Sequence, residues 1–351
     1  MHTFIRGGVA GVIALGISAV AGFQMQALAA GSVESLDPAM TKLVSPSAKV
    51  DILKNEFFGD VEGPVWVSEG KSGYLLCSDM AENCIYKWQK GTLSVFLEKS
   101  GFTGTDPTTV GAQTTNGRIN IIILGSNGLT IDTQGRLLIA QHGDRRLVRR
   151  EKDGAMTVVA ERYEGKHLSS PNDVVVKSDG AIFFTDTTSG LRGRDKDPAH
   201  EIPGHGVFML KDGKLTMIEN DPQGSSPNGL AFSPDEKILY LTAGRKLVAY
   251  DVGADDSVSS PRVFFDYDMF TKEPGGFDGI KVDTKGNIWG VGPGGIWAIS
   301  PAGKALGRVL IPEPPTNLAF GDADAKEVYV TARRGLYRFH VLVPGIQPKA
   351  H

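Results

Sequence analysis

The sequence predicts an all-β chain closed into a six-bladed β-propeller. Three observations carry that prediction. A strand–turn–strand phrase recurs six times; its copies lie about 51 residues apart on average, near the length of a four-stranded blade; and no amphipathic helix of four turns lies between them, as a parallel α/β crossover would require.

The elements follow in chain order. Residues 1–29 read as a secretory leader, with Arg6 before an apolar run over 8–22 and a small-x-small cleavage site at Ala27-Leu28-Ala29. That run is shorter than the ~20 residues a membrane-spanning helix needs. The leader implies a periplasmic or secreted protein with no membrane attachment after its removal. Residues 30–48 are expected to be a flexible N-terminal segment, 49–343 the propeller and 344–351 a C-terminal tail. A strand-like stretch at 50–57 precedes the first copy of the phrase and is expected to complete the last blade, because a ring left open exposes two strand edges.

Cys77 and Cys84 flank a turn-like stretch. A hairpin there brings them near disulfide distance, and the alternative is a pair of buried free thiols. The long step between the first two copies holds a Thr- and Gly-rich insertion at about 101–117, expected to form a loop over one face. A polar loop at 186–206, with Arg192, Arg194, His200 and His205, is expected at the rim of a pocket.

Each phrase opens on one informative residue: Glu62, Asn127, Asn172, Asn228, Asp278 and Thr316, at steps of 65, 45, 56, 50 and 38 residues. Equivalent positions on the innermost strands converge on the propeller axis. All six offer a side-chain oxygen and none is basic or apolar, which suits a hard divalent cation wanting six to eight oxygens. Turn chemistry alone explains Asn127-Gly128 and Asn228-Gly229 but not Glu62 before Gly63-Pro64, nor Asp278 at the equivalent place. The expected ion is one Ca²⁺, with Mg²⁺, Mn²⁺ or Zn²⁺ as alternatives. Zinc is disfavoured because no HExxH is present and the seven histidines show no ligand spacing.

The phrases Glu62-Gly63-Pro64-Val65-Trp66, Ser170-Pro171-Asn172-Asp173, Ser226-Pro227-Asn228-Gly229 and Phe277-Asp278-Gly279-Ile280 resemble the SMP-30/gluconolactonase/luciferin-regenerating-enzyme family, most nearly its exported bacterial gluconolactonases. The resemblance spans about 50–340. It implies metal ligands at Glu62, Asn172, Asn228 and Asp278, and hydrolysis of a sugar lactone with Asp278 as the base. Asn127, Asn172 and Thr316 are then expected to orient a small-molecule lactone. Other lactones or organophosphate esters on the same site, or a binding propeller with a structural ion, are the alternatives.

The remaining composition excludes more than it suggests. A net charge of −3 leaves no basic surplus for a nucleic-acid partner. There is no G-x-S-x-G elbow for a serine hydrolase. His142, at a strand end, is expected to be a hydrogen-bonded structural histidine.

Overall fold

In the computed structural model, residues 31–115, 119–348 and 350 are described; the leader expected over 1–29 lies outside them. The described residues form six antiparallel sheets arranged as propeller blades, five of four strands and one of five, with two small two-stranded ribbons beside them. Their innermost strands are Val61–Glu69, Ser126–Ile131, Ser170–Val176, Pro227–Phe232, Ile280–Val282 and Asn317–Gly321, for blades one to six. These strands neighbour one another in that order, and blade six returns to blade one.

The alternation along each strand sends one set of side chains into the gap between neighbouring blades. Each gap holds an apolar cluster. Trp289 and Phe320 pack between blades five and six, Phe184 and Leu138 between two and three, and Trp66 and Tyr329 between one and six. The fold is therefore six small cores around an axis. At the lower hairpins, aspartates cap the turn that the sequence marks: Asp132 Oδ1 accepts the Gln134 and Arg136 N–H groups at 2.9 and 2.8 Å, and Asp283 Oδ1 accepts those of Lys285 and Asn287 at 2.9 Å each.

Closure is made from the N-terminal side, as the sequence suggests. Asp51–Lys54 adds the fourth strand of blade six, pairing Ile52 with Tyr337. The expectation of a flexible 30–48 is corrected. Val33–Ser35 pairs with Ala305–Leu310 as a fifth strand on blade five, and a short 3₁₀ turn over Pro38–Lys42 follows. Met40, Leu43 and Val44 are buried against blades five and six, so removing this segment from water stabilises it against fraying. The C-terminal tail also folds back: the Ile346 N–H donates to Val282 O, and the Gln347 amide donates to Phe320 O and Asp322 O.

The insertion forms a hairpin of Ala112–Thr115 with Asn120–Ile123, so it is an ordered ribbon and not a bare loop. The two cysteines are free and buried. Register explains why. Cys77 lies opposite Tyr86 and Cys84 opposite Asp79, so the thiols sit diagonally, at a spacing too wide for a disulfide. Burial pushes both thiols far up, Cys84 to about 12, and keeps them protonated.

Candidate active site on the propeller axis

A bulge places the site. In blades one to four the innermost strand carries two residues opposite one at the same point: Gly63-Pro64, Asn127-Gly128, Asn172-Asp173 and Asn228-Gly229. A bulge leaves the extra residue out of the ladder and re-aims its side chain. Three asparagines are thereby turned out of their sheets toward the channel, with Glu62 immediately before the first bulge.

The glycine after each ring residue has its own reason. A Cβ on Gly63 would meet Asn127 O at 1.9 Å, one on Gly128 would meet Asn172 O at 2.6 Å, and one on Gly229 would meet Asp278 O at 2.5 Å. Each glycine is where the backbone of the next blade's ring residue approaches. Only Gly63 among these has a positive φ, at 54°. Close approach between blades, and not turn geometry, explains the repeated Asn-Gly.

Hydroxyl groups then stitch the ring. Ser78 Oγ donates to Asn127 O at 2.7 Å, Thr185 Oγ1 to Asn228 O at 2.9 Å, and Thr242 Oγ1 to Asp278 O at 3.0 Å. The backbone carbonyls are thus satisfied, and the ring side chains are left for another purpose. The Oδ1 atoms of Asn127, Asn172 and Asn228 are all buried without a hydrogen-bond partner. An unpaired buried amide oxygen costs about 1–3 kcal/mol, so three around one axis point to a ligand that satisfies them.

The carboxylates complete the set. Glu62 is buried, and its Oε2 accepts the Gly63 N–H. Asp278 keeps part of its surface open to the channel. Burial pushes Glu62 well above the usual carboxylate range, with Asp278 and Asp173 pushing it further. Asp278 is raised to about 7, again mainly by burial, with Asp173 and Asp60 adding to it and Arg333 opposing. Two buried carboxylates on one axis, with Asp278 raising Glu62 and Asp173 raising both, would be stabilised in their charged forms by a cation between them. Among the described residues no group of three or more His, Cys, Asp and Glu could hold a metal; the donors here are two carboxylates and three amides.

Two expectations change. Thr316 stands at the sixth ring position, but its Oγ1 donates to Val61 O at 2.8 Å and lies 3.1 and 2.9 Å from Thr331 O and Oγ1. It locks blade six to blade one, and its hydroxyl hydrogen is committed to that clasp. The His142 side chain is not hydrogen-bonded: it is buried with neither ring nitrogen partnered, and burial pulls its imidazole down to about 4. The backbone N–H of His142 donates to Gly125 O at 3.2 Å, two residues before Asn127, and a Cβ on Gly190 would meet that of His142 at 2.7 Å.

Further residues lie near the ring. Asp60, raised to about 6 by burial, lies 3.5 Å from the guanidinium of Arg333. The 186–206 loop supplies a rim, with His205 2.7 Å from Asp221 and 3.1 Å from Asp195, beside Ser225 and Ser226. Asp173, Lys281 and Asn317 lie one layer below the ring. The visible signal for Asp173 and Asn317 is that the position after the ring residue is glycine in four blades but not in theirs.

Fold and site together define a six-bladed propeller with a set of oxygen-bearing side chains on its innermost strands. Residues 61–334 match the SMP-30/Gluconolactonase/LRE-like region, and the chain belongs to that family. A gluconolactonase of Zymomonas mobilis is 30% identical over 320 residues, covering 88% of this chain and 85% of that one. The pentonolactonase XacC of Haloferax volcanii is 29% identical over 215 residues, 59% of this chain and 67% of that one. The solved structure of a gluconolactonase from Xanthomonas campestris superposes with a TM-score of 0.71 at 27% identity, covering 88% and 95% of the two chains.

Proposed function

We propose that this chain is an exported, metal-dependent lactonase that opens a sugar lactone at the axial pocket. The observation that carries the reading is the convergence of three unpartnered amide oxygens with Glu62 and Asp278. The donor chemistry fits a hard divalent cation: all donors are oxygens, and two carboxylates balance two charges. Glu62, Asn172, Asn228 and Asp278 would hold it, with Ca²⁺ the best match and Mg²⁺, Mn²⁺ or Zn²⁺ as alternatives. Lactone hydrolysis is supported by the gluconolactonase and pentonolactonase relatives, and export by the leader-like residues 1–29.

When bound, the cation would supply Lewis-acid polarisation of the ester carbonyl. The chain's own groups do the rest. Asp278, open to the channel, accepts the proton of the water that adds to the carbonyl carbon. Asn127 offers an amide to a substrate hydroxyl. The acyl C–O bond then breaks, the ring oxygen takes the proton from Asp278, and a hydroxy-carboxylic acid leaves, releasing one proton to solvent. The buried walls limit competing water around the reacting carbonyl.

Proton release from glucono-δ-lactone tests this directly. Turnover is expected to vanish with chelator and return with Ca²⁺, and Asp278→Asn is expected to slow it by about 10²–10⁴-fold while the fold persists. Equal rates for Asp278→Asn and the parent overturn the role of Asp278. A protein that chelator melts, but that turns over no lactone when loaded, is a binding propeller with a structural ion.

A further inference from the structure

One layer below the oxygen ring the channel changes chemistry. Glycines 63, 128, 229 and 279 make room there, and two side chains fill it: Asp173 from blade three and Asn317 from blade six. Asn317 Nδ2 lies 3.5 Å from Asp173 Oδ2 across the axis. A Cβ on Gly128 would meet Asp173 Oδ1 at 2.9 Å, and one on Gly279 would meet Asn317 Oδ1 at 2.0 Å, so both groups sit directly against the backbone of the ring.

Lys281 joins them. It lies on the strand that carries Asp278's phrase, between the core residues Ile280 and Val282, so alternation turns it toward the channel. Its Nζ donates to Ile280 O at 3.0 Å and to Asn317 Oδ1 at 3.3 Å, and stands 4.0 Å from Asp173 Oδ2. The charge on Asp173 reaches the ring, because it acts on both Glu62 and Asp278.

The formal charges can be counted. Glu62, Asp173 and Asp278 give three negatives and Lys281 one positive. Asp60 and Arg333 at the mouth cancel each other. The channel is left with two negative charges. We propose that Lys281 is a positioning residue that sets the valence of the axial site: its ammonium offsets Asp173, so that the pocket is matched to a divalent cation. The inference rests on the metal reading above. Its physical basis is that a fixed charge below the ring acts on a bound ion in proportion to the ion's own charge. Deleting the ammonium therefore strengthens binding of a trivalent ion more than of a divalent one.

Titration calorimetry with Ca²⁺ and with Tb³⁺ on the purified full chain tests this through the ratio of the two dissociation constants. In Lys281→Met the preference for Tb³⁺ over Ca²⁺ is expected to rise by about tenfold or more. Lys281→Arg should keep the parent ratio. The double variant Asp173→Asn/Lys281→Met removes both charges and should return the ratio to within about threefold of the parent. A merely structural lysine predicts no such rescue. An unchanged ratio in folded Lys281→Met overturns the proposal. If Lys281→Met does not fold, Asp173→Asn serves: it leaves one negative charge, and the preference for Tb³⁺ should fall about tenfold, an unchanged ratio again overturning the proposal. A parent protein that binds neither ion refutes the metal reading itself and this inference with it.

Discussion

The two ends of the channel are built from the same six strands and behave differently. At the upper end the strands present Glu62, Asn127, Asn172, Asn228 and Asp278, with three amide oxygens unpartnered. A few residues further along, the same strands enclose a mainly apolar cavity of about 290 Å³ beside Trp66, Leu129, Val174, Phe232 and Phe320. The upper end leaves three ring amide oxygens without the hydrogen bonds that folding would normally make; the lower end packs apolar side chains from neighbouring blades around its cavity. The bulge is the boundary. Before it side chains are directed to a ligand, and after it alternation directs them to the gaps between blades. Specificity for a ligand thus occupies one or two residues per blade, and stability occupies most of the rest.

Substitutions at the two ends should separate cleanly. The largest effect on stability is expected at the lower end. Phe320→Ala removes a buried ring packed edge-on to Trp289 at 6.2 Å, and should cost about 3–5 kcal/mol in denaturant unfolding while kcat/KM stays within about twofold. A loss of activity as large as that of Asp278→Asn would break the division.

His142 tests the upper end next. Its imidazole titrates at about 4 in the fold, against about 6.5 in an unfolded chain. Below pH 6.5 the unfolded chain binds a proton there that the folded chain refuses, so stability falls as the pH drops from 6.5 toward 4. The difference amounts to about 3 kcal/mol. His142→Gln should flatten that part of the pH–stability curve, and an unchanged curve would show that His142 meets solvent or an acceptor in solution.

The smallest effect is expected where the ring is closed. Thr316→Val should cost about 1–2 kcal/mol for the unpaired Val61 carbonyl and leave KM for lactone within about twofold. A large rise in KM would return Thr316 to the substrate.

Much of this was legible because propeller blades repeat. The ring positions could be read from six phrases, and the closing strand from the need to cover an edge. What the phrases could not show is what each residue meets. Thr316 looks like its five counterparts in sequence, and only contact with Val61 makes it a clasp. Asp173 and Asn317 follow ring residues where glycine is usual, and read as unremarkable until the channel brings them face to face. Met40, Leu43 and Val44 lie in a short, loop-like stretch whose partners are more than 240 positions away, so no local pattern could bury them. His142 was expected to have a partner because buried histidines usually do, and it has none in the described structure.

The closing strand has a consequence for how the chain comes to be folded. Asp51 and Arg338, 287 positions apart, form an ion pair across the seam. Until residues near 340 are in place, blade six lacks its third strand, Asp51–Lys54 has nothing to pair with, the second strand of blade six has an open edge, and the faces of blades five and one that pack on blade six are incompletely covered. Completion is therefore a last, long-range event, and long-range β-pairing is slow. A chain interrupted before that point presents the exposed edges that lead β-proteins to associate with one another. The axial pocket itself needs strands from both ends of the sequence, so binding competence arrives only with the final seam.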